Sequence, residues 1–187
     1  MDEEIQLFLD EAKELMSKTI THTTNELTKI RAGKASPSML DSVTVEYYGS
    51  MTPLSQVASV NTPDARTINV KPWEKNTIPA IEKAILNSDL GFNPQNDGEM
   101  IRINVPPLTE DRRKQLVKQA KAEGESGKVS IRNIRKDTND SLKKLQKEGA
   151  SEDEVKKGEE QVQKITDSSV ARIDELVIAK EKDIMTI

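Results

Sequence analysis

Residues 110–147 read EDRRKQLVKQAKAEGESGKVSIRNIRKDTNDSLKKLQK, a stretch without proline in which an apolar or small residue returns every third or fourth position. Val117, Ala120, Gly124, Gly127, Ile131, Ile134, Thr138, Leu142 and Leu145 form that seam. The spacing predicts one long amphipathic helix, about 57 Å from end to end at 1.5 Å per residue. Thr109 stands where an N-cap belongs, and Glu110 and Asp111 bring negative charge to the positive end of the helix dipole. Gly124 and Gly127 each lower helix propensity by up to about 1 kcal/mol relative to Ala. Lying on the seam, they are expected to admit a close helix neighbour. A stripe this long needs partners of similar length.

Two further seams supply them. Ile5, Leu9, Ala12, Met16, Ile20, Thr23, Leu27 and Ile30 step by three or four, so residues 2 to about 31 read as a second amphipathic helix. Val155, Gly158, Val162, Ile165, Ser169, Ile173 and Leu176 repeat the pattern near the C-terminus. Ser151 and Glu154 have the spacing of a capping box at its start, and Gly149 ends the helix before it. Three seams with one short connection make a three-helix bundle, assigned to residues 1–30 and 106–187.

Between the first two helices the periodicity changes. Residues 43–47 alternate at period two, residues 56–60 and 67–71 carry strand-type side chains, and residues 100–105 alternate again. Tyr48-Gly49-Ser50, Asn61-Thr62-Pro63-Asp64 and residues 93–98 carry turn chemistry. A short helix is expected from Asn76 or Thr77 to Asn87, with Pro79 in its first turn and Ile78, Ile81 and Ile85 as its buried face. Residues 31–105 thus form a small inserted β/α/β domain. Its crossings, Arg31, Gly33, Lys34, Ser36 and Pro37 on the way out and Val105, Pro106 and Pro107 on the way back, are candidate hinges near 31–37 and 105–108.

Composition narrows the chemistry. The chain has 187 residues, 34% hydrophobic and 3% aromatic, with one His and no Cys. The low hydrophobic fraction fits a thin, helix-rich body of one to two domains. No run approaches the roughly 18 apolar residues of a membrane span, and Met1-Asp2-Glu3-Glu4 opens with acid where a signal peptide has a basic segment. A soluble, cytoplasmic protein is expected. Thiolate metal sites and Cys–His or Ser–His catalysis have almost nothing to work with. Gly33-Lys34 fails as a phosphate loop, because Thr28 and Ala35 occupy positions that require Gly and Ser or Thr. Glu152-Asp153-Glu154 and Glu159-Glu160 diverge around a helix and do not converge on a cation. His22 lies outside the first seam with no second ligand, and reads as a surface residue. No metal, cofactor or catalytic residue is expected.

Charge gives the positive signal. Residues 105–147 carry twelve basic and six acidic side chains, whereas residues 148–187 carry six and eleven. Lys114, Lys118, Lys121, Lys128, Arg132, Lys136, Asn139 and Lys143 line one face of the long helix, about 100° from its seam. Glu125 alone interrupts them. A cationic stripe in an acidic chain is the footprint of a phosphate-backbone reader, and the absence of interleaved aromatics points to structured RNA read by shape. The rival reading is a coiled-coil scaffold whose stripe meets an acidic protein or anionic lipid; against lipid, no Trp or Phe stands beside the cations.

Arg31-Ala-Gly-Lys-Ala-Ser-Pro-Ser-Met-Leu-Asp41 leading to Val45-Glu-Tyr-Tyr-Gly49, then Pro53-Leu54 and Ala58-Ser59-Val60, open a longer pattern. Ala80-Ile-Glu-Lys-Ala-Ile85 with Ser88-Asp-Leu-Gly91, Pro106-Pro-Leu-Thr-Glu-Asp-Arg-Arg113 and Arg132-Asn-Ile-Arg135 with Asp137 continue it. In register over nearly the whole chain, the sequence resembles the bacterial ribosome recycling factors. The resemblance implies an α+β, mainly helical protein, L-shaped and of transfer-RNA-like dimensions. It implies a monomer that binds the post-termination 70S ribosome, chiefly large-subunit rRNA, and acts with elongation factor G and GTP to split it. It implies no DNA or membrane partner and no hydrolysis by the factor itself. Arg132, Arg135 and Lys136, with Arg112, Arg113 and Lys114, would be the contacts to large-subunit RNA, and the inserted domain with its hinge would meet the GTPase.

Overall fold

The computed structural model describes residues 2–186. Three long helices carry the three seams: α1 (Asp2–Lys29), α4 (Glu110–Lys147) and α5 (Glu152–Met185). Between α1 and α4 lie β1 (Thr44–Tyr47), β2 (Ser50–Pro53), the single turn α2 (Leu54–Val57), β3 (Ala58–Asp64) and β4 (Thr67–Pro72). They are followed by α3 (Ile78–Asn87), β5 (Pro94–Asn96) and β6 (Ile101–Asn104). The chain divides into two compact units, Met1–Ala32 with Glu110–Ile187, and Gly33–Thr109.

In the first unit, Ile5, Leu9, Leu142, Leu145, Val155 and Val162 pack one end of the bundle, and Met16, Ile131 and Ile173 pack its middle. Each buried aliphatic side chain of this kind contributes about 1.5–3 kcal/mol. The seams are displaced slightly from their expected positions. Leu116 is buried where Val117 was expected and Val117 is half-buried; on α5, Thr166 and Ile184 are buried while Ile165 and Leu176 are half-exposed. A stripe drifts about 20° per heptad along a straight helix, so choosing between adjacent apolar positions requires the neighbours. The hydroxyls of Thr138 and Thr166 return to the Ile134 and Val162 carbonyls, each at 2.8 Å, and so enter the interior already hydrogen-bonded.

Glycines set how closely the three helices approach. A Cβ on Gly127 would strike the Thr23 hydroxyl of α1 and lie 3.0 Å from the Ile173 Cδ1 of α5; one on Gly124 would strike Val177. Helix α4 nonetheless runs unbroken through both positions. At its end Gly149 takes φ +113°, and the Ala150 N–H donates to the Leu145 carbonyl at 3.0 Å, which closes the last turn. Of the capping box expected at the next helix, the serine half is not made: Ser151 occupies the N-cap position, but its hydroxyl makes no capping hydrogen bond. The first turn of α5 is instead favoured by the carboxylates of Glu152, Asp153 and Glu154 at the positive dipole end.

The second unit is a four-stranded antiparallel sheet in the order β3-β4-β6-β5, a β1-β2 hairpin, and α3 packed against β1 and β5. Its core includes Val45, Leu54, Ile68, Val70, Ile81, Ile85, Ile101 and Ile103. Four local expectations need correction. Residues 56 and 57 are helical, because Leu54 and Val57, three apart, both turn into this core. Residues 61–64, expected as a turn, belong to β3. That strand is an edge, where Pro63 forfeits no ladder bond, and the turn comes at Ala65-Arg66, with Asp64 Oδ1 accepting the Arg66 N–H at 2.8 Å. Residues 94–96, also within an expected turn, form the opposite edge strand. Strand β2 was not anticipated; it pairs with β1 across Tyr48 and Gly49, both at positive φ, as a two-residue hairpin turn requires.

Candidate nucleic-acid interface

Helix α4 positions the cationic stripe by repeat alone, since residues four and three apart return to one side of the helix. The packing then divides the stripe into two rows. Lys121 and Lys128 lie beside α5, where Glu181 and Asp174 meet them: Lys121 Nζ is 3.8 Å from Glu181, and Lys128 Nζ donates to Asp174 Oδ1 at 2.8 Å. Descending seven residues on α4 matches ascending seven on α5, as antiparallel helices demand. The same register brings Arg135 opposite Asp167; the two line one groove without an ion pair. This acidic row is not among the features singled out from the sequence, although the seven-residue spacing of Asp167, Asp174 and Glu181 is visible there.

Lys128 is therefore a packing cation more than an open one. Its side chain is only 20% exposed, and the Asp174 hydrogen bond raises its pKa above the ordinary lysine value. Asn139 also differs from the open stripe: it is half-buried, and its Oδ1 is shielded from solvent without a hydrogen-bond partner among the described residues. The outer row is Lys114, Lys118, Arg132, Lys136 and Lys143, all exposed. Lys114 is 3.4 Å from Glu110 one turn earlier, a surface pair of small worth. Arg132, 47% exposed, donates from Nη1 to Glu125 Oε1 at 3.3 Å. Lys118, Arg135, Lys136 and Lys143 make no salt bridge with any described residue. Arg112 is exposed and donates to Gln115 Oε1 at 3.1 Å, while Arg113 is half-buried.

Both crossings are tied to the β3–β4 turn of the second unit. The Ala35 N–H donates to the Ala65 carbonyl at 2.8 Å, and the Val105 N–H to the Arg66 carbonyl at 2.7 Å. Ser36 caps the short 3-10 turn Pro37–Leu40, its hydroxyl accepting from the Ser38 N–H at 3.4 Å. Ser36, Pro37 and Val105 are thus built into the fold of that unit. Gly33, at φ +73°, lies so close to Leu108 that a Cβ would collide with it. Arg31, Pro106 and Pro107 are exposed.

The second unit also displays aromatic groups the sequence reading left aside. Tyr47 and Tyr48 stand edge to face with centroids 4.5 Å apart, and their hydroxyls donate to the two oxygens of Glu74, each at 2.9 Å. Those bonds raise both phenol pKa values. His22 is exposed, and among the described residues no group of His, Cys, Asp or Glu is placed to hold a metal ion. No helix there is long and apolar enough to cross a membrane.

A family model described as Ribosome recycling factor matches residues 23–185. The chain is 62% identical over 185 residues to the ribosome-recycling factor of Cytophaga hutchinsonii, covering 99% of this chain and 100% of the relative. It is 57% identical to that of Flavobacterium psychrophilum over the full length of both. Among solved structures, a solution structure of the ribosome recycling factor superposes with TM-score 0.70 at 38% identity, covering 98% of each chain. T. thermophilus ribosome recycling factor, described with E. coli elongation factor G bound to the E. coli post-termination complex, superposes with TM-score 0.59 at 46% identity, covering 97% of this chain and 99% of that one.

Proposed function

The chain belongs to the ribosome recycling factor family, and from that premise we propose which of its surfaces carry out the family's task. With elongation factor G and GTP, the factor splits the post-termination ribosome, releasing messenger and transfer RNA for a new round of translation. It is not an enzyme; the nucleotide chemistry belongs to elongation factor G.

The outer row of α4 is the surface that holds large-subunit rRNA. One observation carries this reading: Arg132, Lys118, Lys136 and Lys143 stand exposed on a single helix of a chain whose formal net charge is −4. Arg135 joins them from the neighbouring row, Lys114 continues the row to the start of the helix, and Arg112 and Arg113, on other sides of that first turn, are further contacts to the RNA. Lys121, itself exposed, joins the surface beside Glu181, while Lys128, held by Asp174, and Asn139 are half-buried beside it. An RNA duplex is read through its phosphates and shape, which suits guanidinium and ammonium groups without aromatics among them. The Gly33–Thr109 unit and the crossings that lead to it meet elongation factor G, and motion about those crossings turns GTP hydrolysis into separation of the subunits. The factor works as a cytoplasmic monomer.

Co-sedimentation with large subunits over a salt series tests the RNA surface. Each phosphate neutralised adds roughly 0.7–0.9 to the slope of log K against log salt, so binding should fall steeply between low and physiological salt. A flat response would assign the row to a protein partner.

A further inference from the structure

Glu125 is the one acidic residue inside the stripe, and it is not idle there. Its Oε1 accepts from Arg132 Nη1 at 3.3 Å, two turns along α4, while its Oε2 lies 3.5 Å from Lys128 Nζ. A single carboxylate thus spans two cations, as a phosphate would. The site remains open to solvent, with Glu125 59% and Arg132 47% exposed. Lys128 has a second and shorter partner in Asp174 at 2.8 Å. Arg132 makes no second ion pair among the described residues, although it lines one groove with Asp167 and Asp174 of α5. Removal of Glu125 from this cluster would therefore leave Lys128 held by Asp174 and Arg132 without its ion pair.

We infer that Glu125 is an internal stand-in for an RNA phosphate: it holds the Arg132 guanidinium until an RNA phosphate displaces it, and so limits how tightly the factor binds. This rests on the reading of the α4 stripe as the RNA-facing surface. Glu125 touches only Nη1 of the Arg132 guanidinium, but its negative charge beside that group repels an incoming phosphate, so carboxylate and phosphate compete for the same cation. Because the internal anion is tethered two turns away, it recaptures Arg132 as soon as RNA leaves, which favours release. A factor that must leave the ribosome after each round benefits from a contact that is strong yet easily exchanged. Displacement leaves the Glu125 carboxylate with only Lys128 beside it, at 3.5 Å, so it draws a further cation from solution and fewer ions are released on binding than the number of phosphate contacts implies.

The test is Glu125→Gln, which keeps an amide oxygen able to accept from Arg132 but removes the charge. Affinity for large subunits should rise by about three- to tenfold at low salt, the salt slope should steepen by up to about 0.9, and dissociation should slow. Glu4→Gln, an exposed position on α1, makes the same change in net charge away from the stripe and should have a much smaller effect. In an Arg132→Gln background the gain from Glu125→Gln should largely vanish. If Glu125→Gln weakens binding or leaves it unchanged while Arg132→Glu weakens it, Glu125 merely positions Arg132 and the stand-in role is wrong. Equal gains from Glu125→Gln and Glu4→Gln would also overturn it, by showing that only bulk charge is sensed. If Arg132→Glu leaves binding intact, the RNA-facing reading of α4 itself falls.

Discussion

Arg132 is the residue on which the proposed RNA surface turns. Its guanidinium can hold a phosphate through two parallel hydrogen bonds, a geometry an ammonium cannot reproduce. Arg132→Lys should therefore bind ribosomes more weakly and Arg132→Glu much more weakly, with a loss of about 1–3 kcal/mol for one good charged contact. Facing away from the seam and paired only with exposed Glu125, it matters little to folding, and thermal stability should change by less than about 0.5 kcal/mol. Reversing Lys156 and Lys157, exposed on α5, is the control. Equal losses from the two reversals, measured by co-sedimentation, would mean that overall charge and not this surface is being read.

At the scale of the helix, the bundle depends on small residues where helices meet. Gly127 faces Thr23 of α1 and Ile173 of α5 together, so α4 has a neighbour pressed against it on both sides at that point. Ala there gains up to about 1 kcal/mol of helix propensity. It also forces a methyl into space already filled, which costs typically about 1–3 kcal/mol. Since two separate helices would have to yield, the packing term prevails. Gly127→Ala should lower the thermal midpoint by several degrees in a calorimetric scan, and an unchanged or raised midpoint would show that the helices are not tightly apposed there. The same close packing accompanies a helix that continues without a break through a stretch whose propensity alone is poor.

At the scale of the whole chain, each unit has its own hydrophobic core, one along the helix seams and one under the sheet. The crossings at Ala35 and Val105 are fastened to the same β3–β4 turn. The proposed motion between the units would therefore fall on the few residues outside those anchors, around 31–34 and 106–109. Cross-linking the two units in a single orientation should leave RNA binding through α4 largely intact and abolish subunit splitting by elongation factor G, read by light scattering of ribosomes. A locked protein that still splits ribosomes at the normal rate would exclude interdomain motion as the mechanism.

The long helices, the inserted α/β unit, the α3 core face and the cationic stripe could all be read from sequence, because each rests on a local repeat that survives without knowledge of its neighbours. Strand β2 could not: Ser50–Pro53 has little strand character of its own and is recruited by pairing with β1. Pro63 and Pro94 read as turn residues until the strand order showed that both lie on edges, where a missing N–H costs nothing. The division of the stripe into an open row and a row facing α5 also required the tertiary structure. Periodicity places a lysine on a face of its own helix, but whether that face meets water or another helix's carboxylate depends on the antiparallel register of α4 and α5, which no single segment encodes.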